Sequence, residues 1–242
     1  MKTRIIQNEP EVQPAAAEAE AVAPMDDERE TRLRRAVVFL AVAGYFVIGV
    51  VHPMGDLKVG DDTALYLGIH IVQPLFILLL AWSIWLLVKN LPGRAAQIAR
   101  IAILPYAIVY AIFDAIAGIA IGQVVREANG MSAADGAAVQ RLLDGSGGVD
   151  VMGIVSVVIF VASGLTWFIA AFAAAIAVKQ VGGLGPTLLM AVGAAIFAVG
   201  HPFPPGPIGI ALFGLGVAWL EYRREHAPVP QAAPEVQPVL VP

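Results

Sequence analysis

Between residues 34 and 222 the chain is a series of long apolar runs separated by short polar segments. A helix needs about 20 apolar residues to cross a bilayer core. On that measure the runs predict spans at about 34–52, 63–88, 98–124, 151–178, 184–201 and 206–222. The stretch from Lys89 to Arg100 separates the second span from the third. No Asp, Glu, Lys or Arg occurs between Lys179 and Glu221, and "HPFPPGP" interrupts that stretch. Prolines there end one helix and open the next, so the segment reads as a helical hairpin. The pattern predicts an all-α, polytopic membrane bundle of six transmembrane helices over residues 31–226.

The flanks have a different texture. Residues 1–30 and 227–242 are rich in Ala, Glu, Pro and Gln, without apolar periodicity, and are expected to be disordered. Both carry the pentapeptide PEVQP, at Pro10–Pro14 and Pro234–Pro238, a short motif that a cytoplasmic partner could recognise. The basic residues of "MKTRIIQNEP" are followed by polar and acidic residues rather than an apolar core, so no cleaved signal peptide is predicted.

Composition supports the membrane assignment. Hydrophobic residues make up 58% of the 242 and charged residues only 14%, with a mean hydropathy of +0.76; soluble domains carry roughly 25% charged residues. The formal net charge of −4 offers no basic face to nucleic acid. The absence of cysteine excludes disulfides, thiolate metal sites and a cysteine nucleophile.

Charge also sets the expected orientation. With six spans, one side holds Arg32, Arg34, Arg35, Lys89, Arg94, Arg100, Lys179, Arg223 and Arg224, and the other holds Lys58, Arg126 and Arg141. The positive-inside rule then places both termini in the cytoplasm of a cell-membrane protein. The outer segments also carry Asp56, Asp61, Asp62, Glu127, Asp135, Asp144 and Asp150, a negative face that concentrates cations. In the long outer loop, Ser132 and Asp135 have the spacing of a helix cap, which predicts a short surface helix in "SAADGAAVQRLL".

The candidate chemistry lies in the outer third of the bilayer. Tyr106, Tyr110, Asp114, Gly118 and Gly122 recur every fourth residue and fall on one face of the third span. Tyr66, His70 and Gln73 share a face of the second span, whose start is expected to be capped by Asp61 or Asp62. Tyr45, Gly49 and His52 share a face of the first span, and Ser156, Ser163 and Trp167 a face of the fourth. His52 and His201 stand at the outer boundary, while His226 lies in the cytoplasmic tail. Apart from Glu221 at the very end of the sixth run, Asp114 is the only acid within the spans. An ionised carboxylate there needs a partner or a proton, and His70 is the expected partner, with the Tyr110 hydroxyl as a second donor. The Gly118–Gly122 pair has the GxxxG spacing of close helix packing.

The segments "LYLGIHIVQPLF", "LPGRAAQIAR" and "YAIFDAIAGIAIG" resemble parts of uncharacterised bacterial multi-span membrane proteins. The resemblance covers the second and third spans and implies no activity.

Three functions fit these residues. The first is an outward-facing site of Asp114, His70, His52 and His201, with Tyr110 and Tyr66 beside it. Its imidazoles and carboxylate suit a transition metal, or a haem held between facing histidines. The second is proton- or cation-coupled transport through Asp114 and His70, for which no polar chain toward the inner side is expected. The third is a non-catalytic scaffold or accessory subunit working through its tails.

Overall fold

The computed structural model of the protein describes residues 28–53, 57–145, 153–200 and 204–226, and side chains over the same ranges except 153–156. Residues 1–27 and 227–242, and with them both PEVQP segments, lie outside the described residues, as does His201. The described chain is helical: α1 (Glu28–Val51), α2 (Ala64–Val88), α3 (Arg94–Phe113), a π-helical segment (Asp114–Ala120), α4 (Ile121–Ala128), α5 (Ala133–Leu143), α6 (Gly153–Gly182), α7 (Leu184–Val199) and α8 (Pro205–Glu225). Residues 28–30, expected in the tail, form the first turn of α1.

Four helices are long and apolar enough to cross a membrane: Glu28–Val51, Ala64–Val88, the continuous rod Arg94–Ala128, and Val157–Gly182. The 16 residues of α7 span about 24 Å at 1.5 Å per residue, short of a core of about 30 Å. Gly183, at φ 76°, and the extended Gly200 bound it on either side. The fifth apolar run therefore forms an apolar helix shorter than the other rods. α8 has 21 residues and starts on the proline-rich break, with Pro at its first position.

Neighbouring rods pack in chain order, α1 on α2, α2 on α3, α3 on α6, α6 on α7 and α7 on α8, and contact between α1 and α8 closes the ring. The outward faces are apolar, with Leu40, Val47, Ile71, Leu78, Ile101, Ile108, Val161 and Leu215 each more than half exposed. A water-soluble monomer rarely shows apolar surface on this scale; in a bilayer it is the lipid face. The interior is built from small residues and rings. Ala170, Ala171, Ala174 and Ala175 of α6 are fully buried, so neighbouring backbones approach closely. The ring of Trp167 lies 5.0–5.6 Å from those of Tyr106, Phe197 and Phe213, and its indole N–H donates to the Ala194 carbonyl at 3.1 Å.

The tightest crossing joins α7 to α8. A Cβ on Gly193 would sit 2.4 Å from the Phe213 amide nitrogen and 2.6 Å from the Gly209 carbonyl oxygen; a Cβ on Gly209 would sit 2.4 Å from the Phe197 amide nitrogen. The two backbones touch, and only glycine permits it.

One end of the ring is tied by charge. Arg34 and Glu221, both 4% exposed, join the start of α1 to the end of α8 through two contacts of 3.1 Å. Arg35 and Arg224 reach the same carboxylate at 3.1 and 3.0 Å. Lys89, just past α2, pairs with Glu30 at 2.6 Å. Arg100 donates to the carbonyls of Val88, Lys89 and Leu91, satisfying the C-terminal end of α2.

At the opposite end α5 forms the surface helix expected from the sequence. Its cap is Ser132, whose hydroxyl accepts from the Asp135 amide and donates to the Asp135 carboxylate. Gln140 and Asn129 accept from the Val59 and Gly60 amides at 2.7 and 2.6 Å, fastening the α1–α2 connection to the α4–α5 region. The start of α2 differs from expectation. Thr63 occupies the cap position without a side-chain cap bond, and Asp62 accepts from the Ala64 amide at 2.9 Å.

Candidate functional site

The site forms where the end of α1, the first two turns of α2 and the π segment meet. A stripe at every fourth residue drifts by about 40° per step around an α-helix. Tyr106, Tyr110, Asp114, Gly118 and Gly122 are nevertheless all buried. The π segment explains this: it takes one extra residue into its turn and winds the stripe back. Asp114 is its first residue. π turns occur frequently at functional sites, and no propensity signal in the sequence announces one.

His70 and Asp114 come together. His70 Nδ1 lies 2.6 Å from Asp114 Oδ1, with both side chains buried. Gly118 makes room for the ring, since a Cβ there would fall 2.2 Å from His70 Nδ1. The other ring nitrogen of His70 faces His52: the two Nε2 atoms are 3.2 Å apart and the rings are nearly perpendicular, at 89°. His52 Nδ1 lies 2.8 Å from the Pro53 carbonyl oxygen. Tyr66 stacks obliquely on His70, at 4.4 Å between centroids, and its hydroxyl donates to the Ala117 carbonyl at 2.7 Å. That carbonyl lies within the π segment.

These contacts fix the proton positions. A carbonyl only accepts, so His52 Nδ1 carries a hydrogen and donates to Pro53. A neutral His52 then offers Nε2 as an acceptor, and His70 Nε2 must donate to it. A single proton remains for the short contact between His70 Nδ1 and Asp114 Oδ1. It resides on the imidazole, giving an ion pair, or on the carboxyl, giving a neutral pair. With His52 neutral, the line Pro53–His52–His70–Asp114 holds one proton in each of three hydrogen bonds. Asp114 Oδ2 is buried and has no hydrogen-bond partner among the described residues, a costly arrangement for a carboxyl oxygen.

One expectation is corrected here. The Tyr110 hydroxyl is not the second donor to Asp114; it accepts from Gln73 Nε2 at 3.4 Å. Further polar groups lie beyond Asp114 without reaching the inner side. Gln73, Tyr110, Tyr106 and Tyr45 are all buried deeper in the bundle, with Tyr106 stacked on Tyr110 at 5.6 Å. Beyond them Ile77, Leu80, Ile84 and Ile103 close the interior with apolar side chains. Ser163 is buried and donates to the Phe160 carbonyl within its own helix, and the side chain of Ser156 lies outside the described residues. His226 accompanies Tyr222 at the tied end, away from the site.

As a metal centre the site is incomplete: among the described residues no group of three or more His, Cys, Asp or Glu side chains could hold an ion. Haem clamped between His52 and His70 does not fit, because nitrogens 3.2 Å apart leave no space for a macrocycle. Comparison with protein families, curated proteins and solved structures gives no match. The chemistry of the site therefore rests on its atoms.

Proposed function

We propose that this chain is an integral protein of the cell membrane with six crossings and both termini in the cytoplasm, and that its His52–His70–Asp114 line is a proton-binding site open to the outer side. An even number of crossings is supported by the Arg34–Glu221 pair, which holds the first and last helices together at one end. The orientation is supported by the nine basic residues assigned to that end against three at the other.

One observation carries the proton reading: three consecutive hydrogen bonds whose middle member joins two imidazole nitrogens. Such a line can bind one further proton from the outer side at His52 Nε2, once that nitrogen separates from the His70 Nε2–H, which leaves His52 an imidazolium. Between His70 and Asp114 the shared proton can pass from Nδ1 to Oδ1, which neutralises both groups. The buried hydroxyls of Tyr110 and Tyr106 lie beyond Asp114 and are not hydrogen-bonded to it among the described residues. The apolar layer after them makes it a half-path that needs a conformational change to complete.

Infrared difference spectroscopy of the purified protein between pH 5 and 8, the range in which histidine changes charge, tests this. A carboxyl band and an imidazole band should change together and both vanish in Asp114→Asn and in His70→Ala. An Asp114 band unchanged over that range, with histidine bands indifferent to Asp114→Asn, would sink the proposal.

A transition metal is the second reading, on a separate observation. Each Nδ1 faces an oxygen acceptor and both Nε2 atoms converge, as in histidines whose outer nitrogen orients a metal ligand. An ion about 2.0–2.1 Å from both would sit off the line between them at roughly 100°, close to tetrahedral. His201 is the third ligand this reading needs. Stoichiometric zinc or copper in the purified protein, lost in His52→Ala, would replace the proton by a metal.

A further inference from the structure

At the end opposite the histidines, α1, α2 and α8 enclose a cavity of about 710 Å³. Arg32, Arg34, Arg35 and Arg224 line it, against three acids, Glu28, Glu221 and Glu225. Arg34, Arg35 and Arg224 all converge on the single carboxylate of Glu221, so the wall keeps a surplus positive charge. Thr31, Asn90, Leu86, Leu87, Leu91 and Val181 form the rest of the wall, and Val181 is about half exposed. The cavity joins guanidinium groups to an apolar edge at the ends of α2 and α6.

We infer that this cavity binds the phosphate of an anionic phospholipid, with its acyl chains along the α2 and α6 side. The chemistry matches the ligand: a phosphodiester meets guanidinium groups suited to paired N–H···O contacts, and the chains leave past the half-exposed Val181. Basic pockets between helices on the cytoplasmic side of membrane proteins hold acidic headgroups in this manner. The arginines are also available in energetic terms. Arg32 is bonded to Glu28 with both side chains more than three-quarters exposed; Arg35 keeps Nε on Glu221 at 3.1 Å and turns Nη2 to the exposed Glu225 at 3.4 Å. Exposed pairs of this kind are weak, so a phosphate can take over the guanidinium groups while the buried Arg34–Glu221 pair stays intact.

Native mass spectrometry of the full chain, released from membranes of mixed phosphatidylglycerol and phosphatidylcholine, tests this. The wild type should retain one phosphatidylglycerol in preference to phosphatidylcholine. Arg32→Gln and Arg35→Gln should each weaken that retention about fivefold, and the double variant roughly 25-fold. Arg32→Gln touches only the exposed Glu28 contact, so its Tm should be unchanged, while Arg35→Gln also removes a 3.1 Å contact to Glu221 and is compared at matched folded fraction. Equal retention of the two lipids, retention indifferent to both substitutions, or no retained lipid overturns the inference. Displacement of the lipid by millimolar inorganic phosphate would assign the cavity to a soluble phosphate and overturn the lipid source.

Discussion

Arg34 and Glu221 are 187 positions apart in sequence and form a two-pronged ion pair, with Nε and Nη2 of the guanidinium each 3.1 Å from a different carboxylate oxygen. The contact ties the first helix of the ring to the last. Breaking such a pair from one side strands a buried charge, which costs about 3–5 kcal/mol. Glu221→Ala should therefore lower the Tm of the detergent-solubilised protein sharply, whereas Arg34→Met with Glu221→Leu should cost much less. Equal losses in the two variants would show that the charge pair is not what holds α1 to α8.

Gly118 controls the geometry of the histidine line. A methyl group added there meets the His70 ring at 2.2–2.8 Å, so the ring must move. Gly118→Ala should cost about 1–3 kcal/mol, the range for overpacking, and should abolish the coupled carboxyl and imidazole infrared bands while Asp114 remains in place. A Gly118→Ala protein with both bands intact would contradict the contact.

Gly193 and Gly209 make a comparable prediction without any chemistry attached. A side chain at either position forces the backbones of α7 and α8 apart. Gly193→Val should cost about 3 kcal/mol or more, at or above the top of the overpacking range, because backbone rather than a flexible side chain must yield. Thermal unfolding in detergent measures it, and the infrared signature of Asp114 should survive in the folded fraction.

The surface helix α5 should behave as a local unit. Ser132→Ala removes its cap and should cost about 1 kcal/mol, seen as faster amide exchange across Ala133–Leu143. Protection in α6 and α7 should not change.

The chain lacks cysteine, so single cysteines report topology without background. Met131→Cys, at the α4–α5 turn and 50% exposed, should react in intact cells with a membrane-impermeant maleimide. A cysteine at Tyr222, near the tied end and 61% exposed, should react only after lysis. The reverse pattern would invert the proposed orientation.

Much of the architecture is legible in the sequence because it depends on local quantities. Apolar length marks the rods, and the Ser132–Asp135 spacing marks α5. The every-fourth-residue stripe brings Asp114 to the same face as Gly118, and equal depth makes His70 its partner. What cannot be read locally depends on tertiary closure. The π turn at Asp114–Ala120 has no propensity signature and is set by packing against α2. The contact between His52 and His70 depends on how the α1–α2 connection folds, and Arg34–Glu221 on closing the ring. Tyr110 could be placed near Asp114 by spacing alone, but its hydrogen-bond partner is decided by the reach of Gln73 from the neighbouring helix.

Ring closure has a consequence for biogenesis. Arg34 is inserted while nearly all of the protein is still unmade, and its carboxylate arrives only when Glu221 leaves the ribosome. Until then the first rod lacks the contact that closes the ring, so a nascent chain arrested before α8 remains an open arc.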